Sequence, residues 1–325
     1  AVAKVEDIHY GAVLHDSHDT DRVSLAPPPF PTPMYGVALE PKHKGQEQKV
    51  SNALARLAEE DPCLRVEHHK ALNETVVRGL SDLHLKVILE RMRERYGVEV
   101  ETRPPRIAYR ETIAIPAEGH HRHKKQTGGA GQFGEVFLRI EPLDRGAGFE
   151  FVDATKGGVI SGQFLPAIEK GVRQAMERGA VAGYPLHDLR VIVCDGKCHA
   201  VDSKEVAFIS AGKKAFLDAV GKAHPIVLEP IVNIEVTLPE HNAGDVSGGL
   251  ATRRARIMGT AVQRGGELLL KAQAPLAELT DYPAELKSIT GGRGRYSLDF
   301  SHYEAVPANV QKQLGEAWKP HAEEG

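Results

Sequence analysis

Cysteine is scarce in this sequence, which has three in 325 residues: Cys63, Cys194 and Cys198. Three scattered cysteines cannot form the disulfide framework typical of small secreted proteins, so the sequence favours a reducing cytoplasm. Cys194, Cys198 and His199 fit no standard zinc spacing, and the sequence offers no fourth ligand nearby. No metal site is therefore predicted.

Long apolar runs and a phosphate-binding loop are also absent. No stretch approaches the roughly 20 apolar residues of a membrane helix, so no membrane partner is expected. No GxxxxGK[ST] motif occurs, so we expect this chain neither to bind nor to hydrolyse GTP, and we predict no catalytic site in it. The chain starts at Ala1 without an initiator Met or a signal peptide, and we expect it to be a fragment of a longer protein.

The sequence also lacks a strong excess of charge of one sign. It has 41 Lys and Arg and 44 Asp and Glu, which gives a net charge of −3. Such a chain has no global attraction to nucleic acid, so any binding to it must come from local patches. Two patches stand out, at 120–125 (HHRHKK) and 253–256 (RRAR). With 41% hydrophobic and 26% charged residues, the chain is globular and long enough for two or three cores.

A glycine-rich loop follows the first basic patch, with glycines at 128, 129, 131 and 134. The segment 129–134 matches the dinucleotide-binding pattern GxGxxG, but such a loop must open a helix. Here Glu135–Ile140 alternates polar and apolar residues, which is typical of a strand. The loop is therefore predicted to be the tip of a β-hairpin, and a tight turn without function remains the simpler interpretation.

Two regions show the order strand, helix, strand, strand, helix, strand of a split βαβ, or ferredoxin-like, unit: residues 34–103 and 231–306. In the first, Ser81 is predicted to cap a helix that ends at Gly97, with an apolar face formed by Leu83, Val87, Leu89 and Met92. In the second, helices are predicted over 243–257 and 276–290. Short linkers are predicted near 104–105 and at 228–230.

The middle region carries a second candidate loop at 195–203. Cys198 or Ser203 as nucleophile with His199 as base would be a catalytic interpretation, but adjacent residues of an extended loop point apart, and the sequence indicates no orienting carboxylate. Asp202 and Ser203 are instead predicted to form the N-cap of the following helix. The arginines at 253, 254 and 256 suit either a solvated helix face or contacts with phosphates, and both alternatives stay open.

Several motifs, in order along the chain, resemble the C-terminal half of bacterial translation elongation factor G. They are 125–134 (KQTGGAGQFG), 157–160 (GGVI), 198–203 (CHAVDS), 228–231 (LEPI), 244–246 (GDV) and Arg253-Arg254. The resemblance covers essentially the whole chain. It implies an α+β, multidomain fold in which two ferredoxin-like domains flank an arm domain like domain 2 of ribosomal protein S5.

The resemblance also implies domain boundaries. Residues 1–28 would be the tail of a truncated β-barrel domain with a Pro-rich linker, and 29–105 the family's third domain. Residues 106–227 would be the fourth domain, an elongated arm with two tip loops, and 228–325 the fifth, with a C-terminal helix. The GTPase domain, with its GTP and Mg, is expected outside this chain, so the full-length protein would be a GTPase (EC 3.6.5 type).

In that family the arm enters the decoding centre of the ribosome beside tRNA and mRNA and promotes GTP-dependent translocation. The resemblance therefore implies a cytoplasmic monomer whose tip loops contact RNA through Gly128, Gly129, Ala130, Gly131, Gln132, Phe133, Lys197, His199, Asp202 and Ser203. Further rRNA contacts are expected at Lys124, Lys125, Arg253, Arg254 and Arg256. Cations and flexible loops at a tip suit phosphate backbones.

Some positions depart from the family pattern. The family commonly has Arg where this chain has Ala130, Tyr where it has Phe133, and Asp or Glu where it has Ala200. By these differences, by Cys198 and by the segment Phe300-Ser301-His302-Tyr303, the chain resembles the elongation factor G-like paralogs. A role in ribosome recycling or protection, or an RNA-binding module without GTPase coupling, therefore stays an alternative to translocation.

Overall fold

A computed structural model describes residues 30–69, 72–125, 131–199, 201–263 and 265–318 of the chain. The predicted barrel tail and Pro-rich linker at 1–28 lie outside the described residues. The described chain forms two compact units, which we call the first unit (30–108 with 231–301) and the second unit (109–230 with 302–318). Both mix helices with sheets, so the predicted α+β, multidomain class is confirmed. The domain boundaries stay predictions.

The first sheet of the first unit contains residues from 35 to 103. Its strands are β1 (Tyr35–Pro41), β2 (Arg65–His69), β3 (Glu74–Gly79) and β4 (Val100–Arg103), and its helices are α1 (Glu47–Glu60) and α2 (Asp82–Tyr96). The antiparallel order β2-β3-β1-β4 is that of a split βαβ unit, as predicted. Both helices contribute to one core with the sheet, including Leu54, Leu57, Ile88 and Met92.

Both predicted ends of α2 are confirmed, and its predicted apolar face is right at Leu89 and Met92 but wrong at Leu83 and Val87. The Ser81 hydroxyl accepts a hydrogen bond from the His84 backbone N–H at 3.1 Å, and Gly97 ends the helix at φ 61°. Leu85, Ile88 and Met92 form the buried face, whereas Leu83 is 65% exposed and Val87 37%. Leu83 and Val87 are four residues apart, as Ile88 and Met92 are, so periodicity alone could not tell the stripe that meets solvent from the one that meets the core.

The second unit is built on a four-stranded sheet. After β5 (Arg110–Ile113) come β6 (Ala117–Lys125), β7 (Gln132–Pro142), β8 (Phe149–Asp153), helix α3 (Leu165–Arg178), β9 (Leu189–Lys197) and helix α4 (Glu205–Lys222). The order is β6-β7-β9-β8, with β8 parallel to β9 and the other pairs antiparallel. Alternate residues of β7 join α3 and α4 in the core: Val136, Leu138, Ile140, Ile168, Val172, Phe208 and Phe216.

Close contacts hold this unit together at two points. A Cβ added to Gly119 on β6 would lie 2.0 Å from the carbonyl oxygen of Ala215, so only glycine lets α4 approach the strand this closely. The carboxylate of Glu111 on β5 is fully buried. It accepts four backbone N–H groups at 2.6–3.1 Å, from Ala180, Val181, Ala182 and Tyr184. These bonds fix the loop after α3.

The predicted linker at 228–230 lies within strand β10 (Pro225–Pro239), at the point where the chain passes from the second unit to the first. The predicted junction therefore falls at a unit boundary, but it is part of a strand. Residues 225–228 pair with β5, and 231–239 pair with β12 (Glu267–Pro275). Pro230 lies where the pairing partner changes, which is where a strand tolerates a residue without an N–H. Leu228 and Glu229 are buried, unlike the residues of an exposed linker.

The second sheet of the first unit repeats the topology of the first sheet. Between β10 and β12 lie α5 (Ala243–Thr252) and β11 (Arg256–Val262), and after β12 come α6 (Tyr282–Thr290) and β13 (Arg295–Ala305). The order β11-β12-β10-β13 matches the first sheet. The helix predicted over 243–257 ends five residues early, because Arg254 has φ 58° and the chain turns into β11. The helix predicted from 276 begins with a 3₁₀ turn at Leu276–Leu279.

Helix α7 (Ala308–Ala317) ends the described chain and packs within the second unit. Val310 and Leu314 pack against a small buried cluster that includes Ala182, in the loop that Glu111 fixes. No helix among the described residues is long and apolar enough to cross a membrane.

Candidate nucleic-acid interface

Strands β6 and β7 form a hairpin whose tip is the predicted glycine loop. Lys125 pairs with Gln132, so the loop spans 126–131. Because the residues after it form strand β7, the hairpin prediction is confirmed and the dinucleotide-binding alternative fails. Gly128, Gly129 and Ala130 lie outside the described residues, and their predicted RNA contacts stay predictions.

The second loop, 198–203, is hydrogen-bonded to Phe133 at the start of β7, directly after the first loop. The Phe133 backbone N–H donates to the Asp202 carbonyl oxygen at 2.9 Å. The Ser203 hydroxyl accepts from the His199 backbone N–H at 2.8 Å and donates to the Phe133 carbonyl oxygen at 3.1 Å. Two segments that are far apart in sequence thus form one tip at the end of the sheet.

The predicted N-cap role of Asp202 and Ser203 is wrong. Helix α4 begins at Glu205 with Lys204 as its N-cap residue, and no side chain caps it. The Ser203 hydroxyl is engaged by the two loops, and the Asp202 carboxylate lies beside His199 and Gly131. These tertiary contacts outweigh the local preference of Asp and Ser for the cap position.

His199 is held from one side of its ring. Its Nδ1 lies 3.2 Å from a carboxylate oxygen of Asp202, and 3.4 Å and 3.3 Å from the backbone nitrogens of Val201 and Asp202. Nδ1 accepts from the backbone in the neutral ring or donates to Asp202 in the protonated ring, but it cannot do both at once. Nε2 carries a hydrogen in both of these states, whereas the neutral tautomer with its hydrogen on Nδ1 has Nε2 as an acceptor. Because the side chain is 56% exposed, it can present this donor to a ligand.

Phe133 lies between His199 and a cation of the hairpin. The Phe133 and His199 rings meet edge-on, with 6.2 Å between their centroids. The Arg122 guanidinium lies 5.2 Å from the centroid of the Phe133 ring. Gln132 is paired with His123 through Oε1 and Nε2 at 3.1 Å. The exposed ends of β6 and β9 carry Lys124, Lys125 and Lys197.

The structure therefore brings the described tip residues together, and Gly131 is part of the same arrangement. A Cβ on Gly131 would lie 2.8 Å from a carboxylate oxygen of Asp202, so glycine is needed where the loops meet. Arg122 was missed as a site residue. It lies two residues before Lys124 on the same strand, and this period of two was the available signal.

The catalytic interpretation gains a carboxylate but lacks an activated nucleophile. Asp202 orients His199, which the sequence did not indicate. The Ser203 hydroxyl, however, bonds to backbone groups and not to the imidazole. A nucleophile needs a base within hydrogen-bond reach, so this geometry does not support acyl transfer.

The second basic patch is divided between two environments. Arg253 forms an ion pair with Glu285 and is 21% exposed, and Arg254 pairs with Glu278 at 2.8 Å. Arg256 lies exposed at the start of β11. The structure thus joins the first two arginines to carboxylates of the first unit, and contacts of all three with phosphates stay predictions.

Sequence comparisons match three consecutive segments to one family. Residues 30–104 match elongation factor G domain III, 105–224 match domain IV, and 226–314 match the elongation factor G C-terminus. The chain belongs to the elongation factor G family. Its tip loops fall in the domain IV match, and Arg253, Arg254 and Arg256 fall in the C-terminal match.

Relatives agree with this assignment. An elongation factor G-like protein of Thermotoga maritima is 46% identical over 298 residues, which cover 92% of this chain and 44% of the relative. A crystal structure of a Thermus thermophilus protein aligns with a TM-score of 0.75 and 40% identity over 93% of this chain and 45% of that one. The chain spans less than half the length of these relatives.

Proposed function

We propose that this chain is the ribosome-binding portion of a translational GTPase, and that the tip of its second unit contacts RNA at the decoding centre while tRNA and mRNA move. The hydrogen bonds that join Ser203 to Phe133 on the hairpin and to His199 in the second loop carry this proposal. A tip held in one geometry positions donors for RNA without the entropy cost of ordering two separate loops.

The chemistry of the tip suits a phosphate backbone. Lys124, Lys125 and Lys197 supply charge at the end of the sheet, and His199 supplies an exposed N–H donor. Phosphate contacts position a protein on RNA without reading its sequence, as a factor that acts on every codon requires. GTP and Mg would bind to a GTPase domain outside this chain, and the protein would act in the cytoplasm as a monomer.

The name of the Thermotoga maritima relative, elongation factor G-like protein, favours a second candidate function. Phe133 lacks the hydroxyl of tyrosine, so the tip offers one polar group fewer than the common family pattern. A paralog that recycles or protects ribosomes would need tip contacts but not the full rate of translocation. An RNA-binding module without GTPase coupling is the remaining alternative.

The test uses the full-length protein with Lys124→Gln and Lys125→Gln combined. We expect ribosome-stimulated GTP hydrolysis to persist and tRNA–mRNA movement to slow, because each lost phosphate contact weakens a salt-sensitive interaction. The matched control removes the same charge at Lys49 and Lys86, which lie on α1 and α2. Normal movement with impaired subunit splitting would favour the recycling role. Failure of ribosomes to stimulate hydrolysis by the wild type would reject both ribosomal roles.

A further inference from the structure

The sheet of the second unit has an outer face that α3 and α4 do not cover. Gly134, Val136, Leu138 and Ile140 of β7 point to the inner face and are buried. The alternate residues Phe133, Glu135, Phe137 and Arg139 therefore point to the outer face. Their partners on β6 share this face, so His120 lies beside Phe137, Arg122 beside Glu135, and Lys124 beside Phe133.

Aromatic rings occupy this face where polar side chains are the rule. Phe137 is 37% exposed, and the His120 ring stacks on it with 4.0 Å between centroids and 18° between planes. The uncovered face of an antiparallel sheet is normally polar, so an exposed stacked pair in the middle of a strand needs a reason. Phe133, on the same face, has the Arg122 guanidinium beside its ring.

On the side of these rings that lies towards the tip, the charge favours an anion. Arg122 and Lys124 on β6 are exposed, as is Lys197, which lies opposite Glu135 on β9. Among the carboxylates of this face, Glu118 and Glu141 lie on the side of the ring pair away from the tip, near Arg139. Glu135 is 8% exposed and bonds to His120 at 3.0 Å. Asp195 accepts the Gly196 backbone N–H at 2.7 Å. We call this surface the outer patch; it consists of His120, Arg122, Lys124, Phe133, Glu135, Phe137, Asp195 and Lys197.

We infer that the outer patch binds an unpaired segment of RNA. Bases would stack on the His120–Phe137 pair, while Arg122, Lys124 and Lys197 meet the phosphates. Rings interleaved with cations on an open sheet are the chemistry of single-strand binding, since every base has a face to stack. An acidic peptide would use the cations but would leave the rings unexplained. This surface goes beyond the tip contacts of the proposed function.

Direct binding to the 325-residue chain tests the inference without ribosomes, so its outcome is independent of translocation. Fluorescence anisotropy would compare labelled single strands of about ten uridines or adenosines with an RNA duplex of the same length. We expect the wild type to prefer the single strands and Phe137→Leu to weaken their binding about fivefold or more, because stacking on one aromatic ring contributes that much per base. Leucine keeps the apolar volume and removes only the ring.

Phe300→Leu is the matched control, because Phe300 is 60% exposed and lies on β13, which belongs to a different sheet. It should leave the affinity unchanged. A wild type that binds neither single strand, or binds the duplex equally well, overturns the inference. An unchanged affinity of the Phe137→Leu variant for single strands also overturns it, as does an equal loss of affinity in Phe300→Leu. Thermal melting of each variant separates lost stacking from lost folding.

Discussion

The Ser203 hydroxyl donates a hydrogen bond to the Phe133 carbonyl oxygen at 3.1 Å and accepts one from the His199 backbone N–H at 2.8 Å. This single side chain joins a hairpin loop to a loop 70 residues later in the chain. The position of His199 relative to the hairpin therefore depends on a hydroxyl group and not on a hydrophobic core.

Ser203→Ala should loosen the tip more than the fold. The two bonds contribute about 1 kcal/mol each, and the site is partly exposed, so we expect only a small change in melting temperature. Hydrogen exchange should show the effect directly, as faster exchange of the His199 amide. Ser51→Ala, at an exposed position of α1, is the control. Unchanged exchange at His199 would mean that other contacts hold the loop.

Glu111→Gln should destabilise the second unit. The carboxylate accepts four backbone N–H groups, and an amide would turn an NH₂ group towards some of these donors. Hydrogen bonds to a charged group contribute about 1.5–3 kcal/mol, so we expect a loss of about 3 kcal/mol in the free energy of unfolding. Chemical denaturation would measure it. Glu118→Gln, at an exposed position of β6, should change it by no more than about 0.5 kcal/mol.

Gly119→Ala and Gly221→Ala make a matched pair of substitutions at α4. The Cβ on Gly119 would lie 2.0 Å from the Ala215 carbonyl oxygen, so β6 and α4 must separate, at a cost of about 1–3 kcal/mol or more. At Gly221 a Cβ meets nothing within 4 Å, and alanine should stabilise the helix by up to about 1 kcal/mol. Thermal melting should therefore move in opposite directions for the two variants. A shift in the same direction would show that α4 does not pack as described.

Local chemistry predicted much of this fold. The strand and helix order, the Ser81 cap and the Gly97 terminus follow from short-range preferences that act the same way in any fold. The order of elements over 231–306 required a strand after the first helix, but the sequence did not locate β11 and extended that helix to 257. All residues of β11 are exposed, so it lacks the alternation that marks a half-buried strand. The buried face of α2 was only partly right because Leu83 and Val87 form a second apolar stripe, and only the position of the sheet chooses between the two stripes.

The tip was predictable as a set of residues but not as an arrangement. Glycines and cations marked the two loops, yet no sequence signal predicted the hydrogen bond of Ser203 to Phe133 or the contact of Asp202 with His199. Those contacts depend on the pairing of β7 with β9, which is long-range. The same cause explains the wrong N-cap at α4, where a tertiary partner for the Ser203 hydroxyl replaced the local one.

Alkaline pH should destabilise the first unit through Tyr296. Burial raises the pKa of Tyr296 to about 12, and its hydroxyl donates to the Met34 carbonyl oxygen at 2.8 Å. An unfolded tyrosine titrates near pH 10, so the stabilisation is complete below about pH 10 and is lost as the pH rises to about 12. Burial also raises the pKa of Tyr282, so this residue should contribute to the same loss of stability at alkaline pH.

Comparison of the wild type with Tyr296→Phe isolates this group from other titrations. Near neutral pH the variant should be less stable by about 1 kcal/mol, because the Met34 carbonyl loses its donor. Above about pH 10 the difference should shrink and then reverse. At such pH the tyrosine ionises in the unfolded wild type but stays neutral in the folded one, which favours unfolding, and phenylalanine has no group to ionise. Denaturation with urea at a series of pH values would measure the difference. A constant difference across this range would show that Tyr296 ionises normally in the folded chain.

His199 allows the sharpest test of the tip. His199→Ala in the full-length protein should leave melting and ribosome-stimulated GTP hydrolysis nearly unchanged, because the side chain is exposed and the hydrolysing site would lie in another domain. Movement of tRNA and mRNA should slow about fivefold or more if the Nε2 donor forms one hydrogen bond of about 1 kcal/mol as RNA moves. His199→Gln keeps an N–H donor and should recover part of the rate. Gln132→Ala removes the partner of His123 in the other loop and should slow the same step. If both alanine variants move tRNA and split ribosomes at the normal rate, the two loops are ordinary turns and the RNA-binding role of the tip must be abandoned.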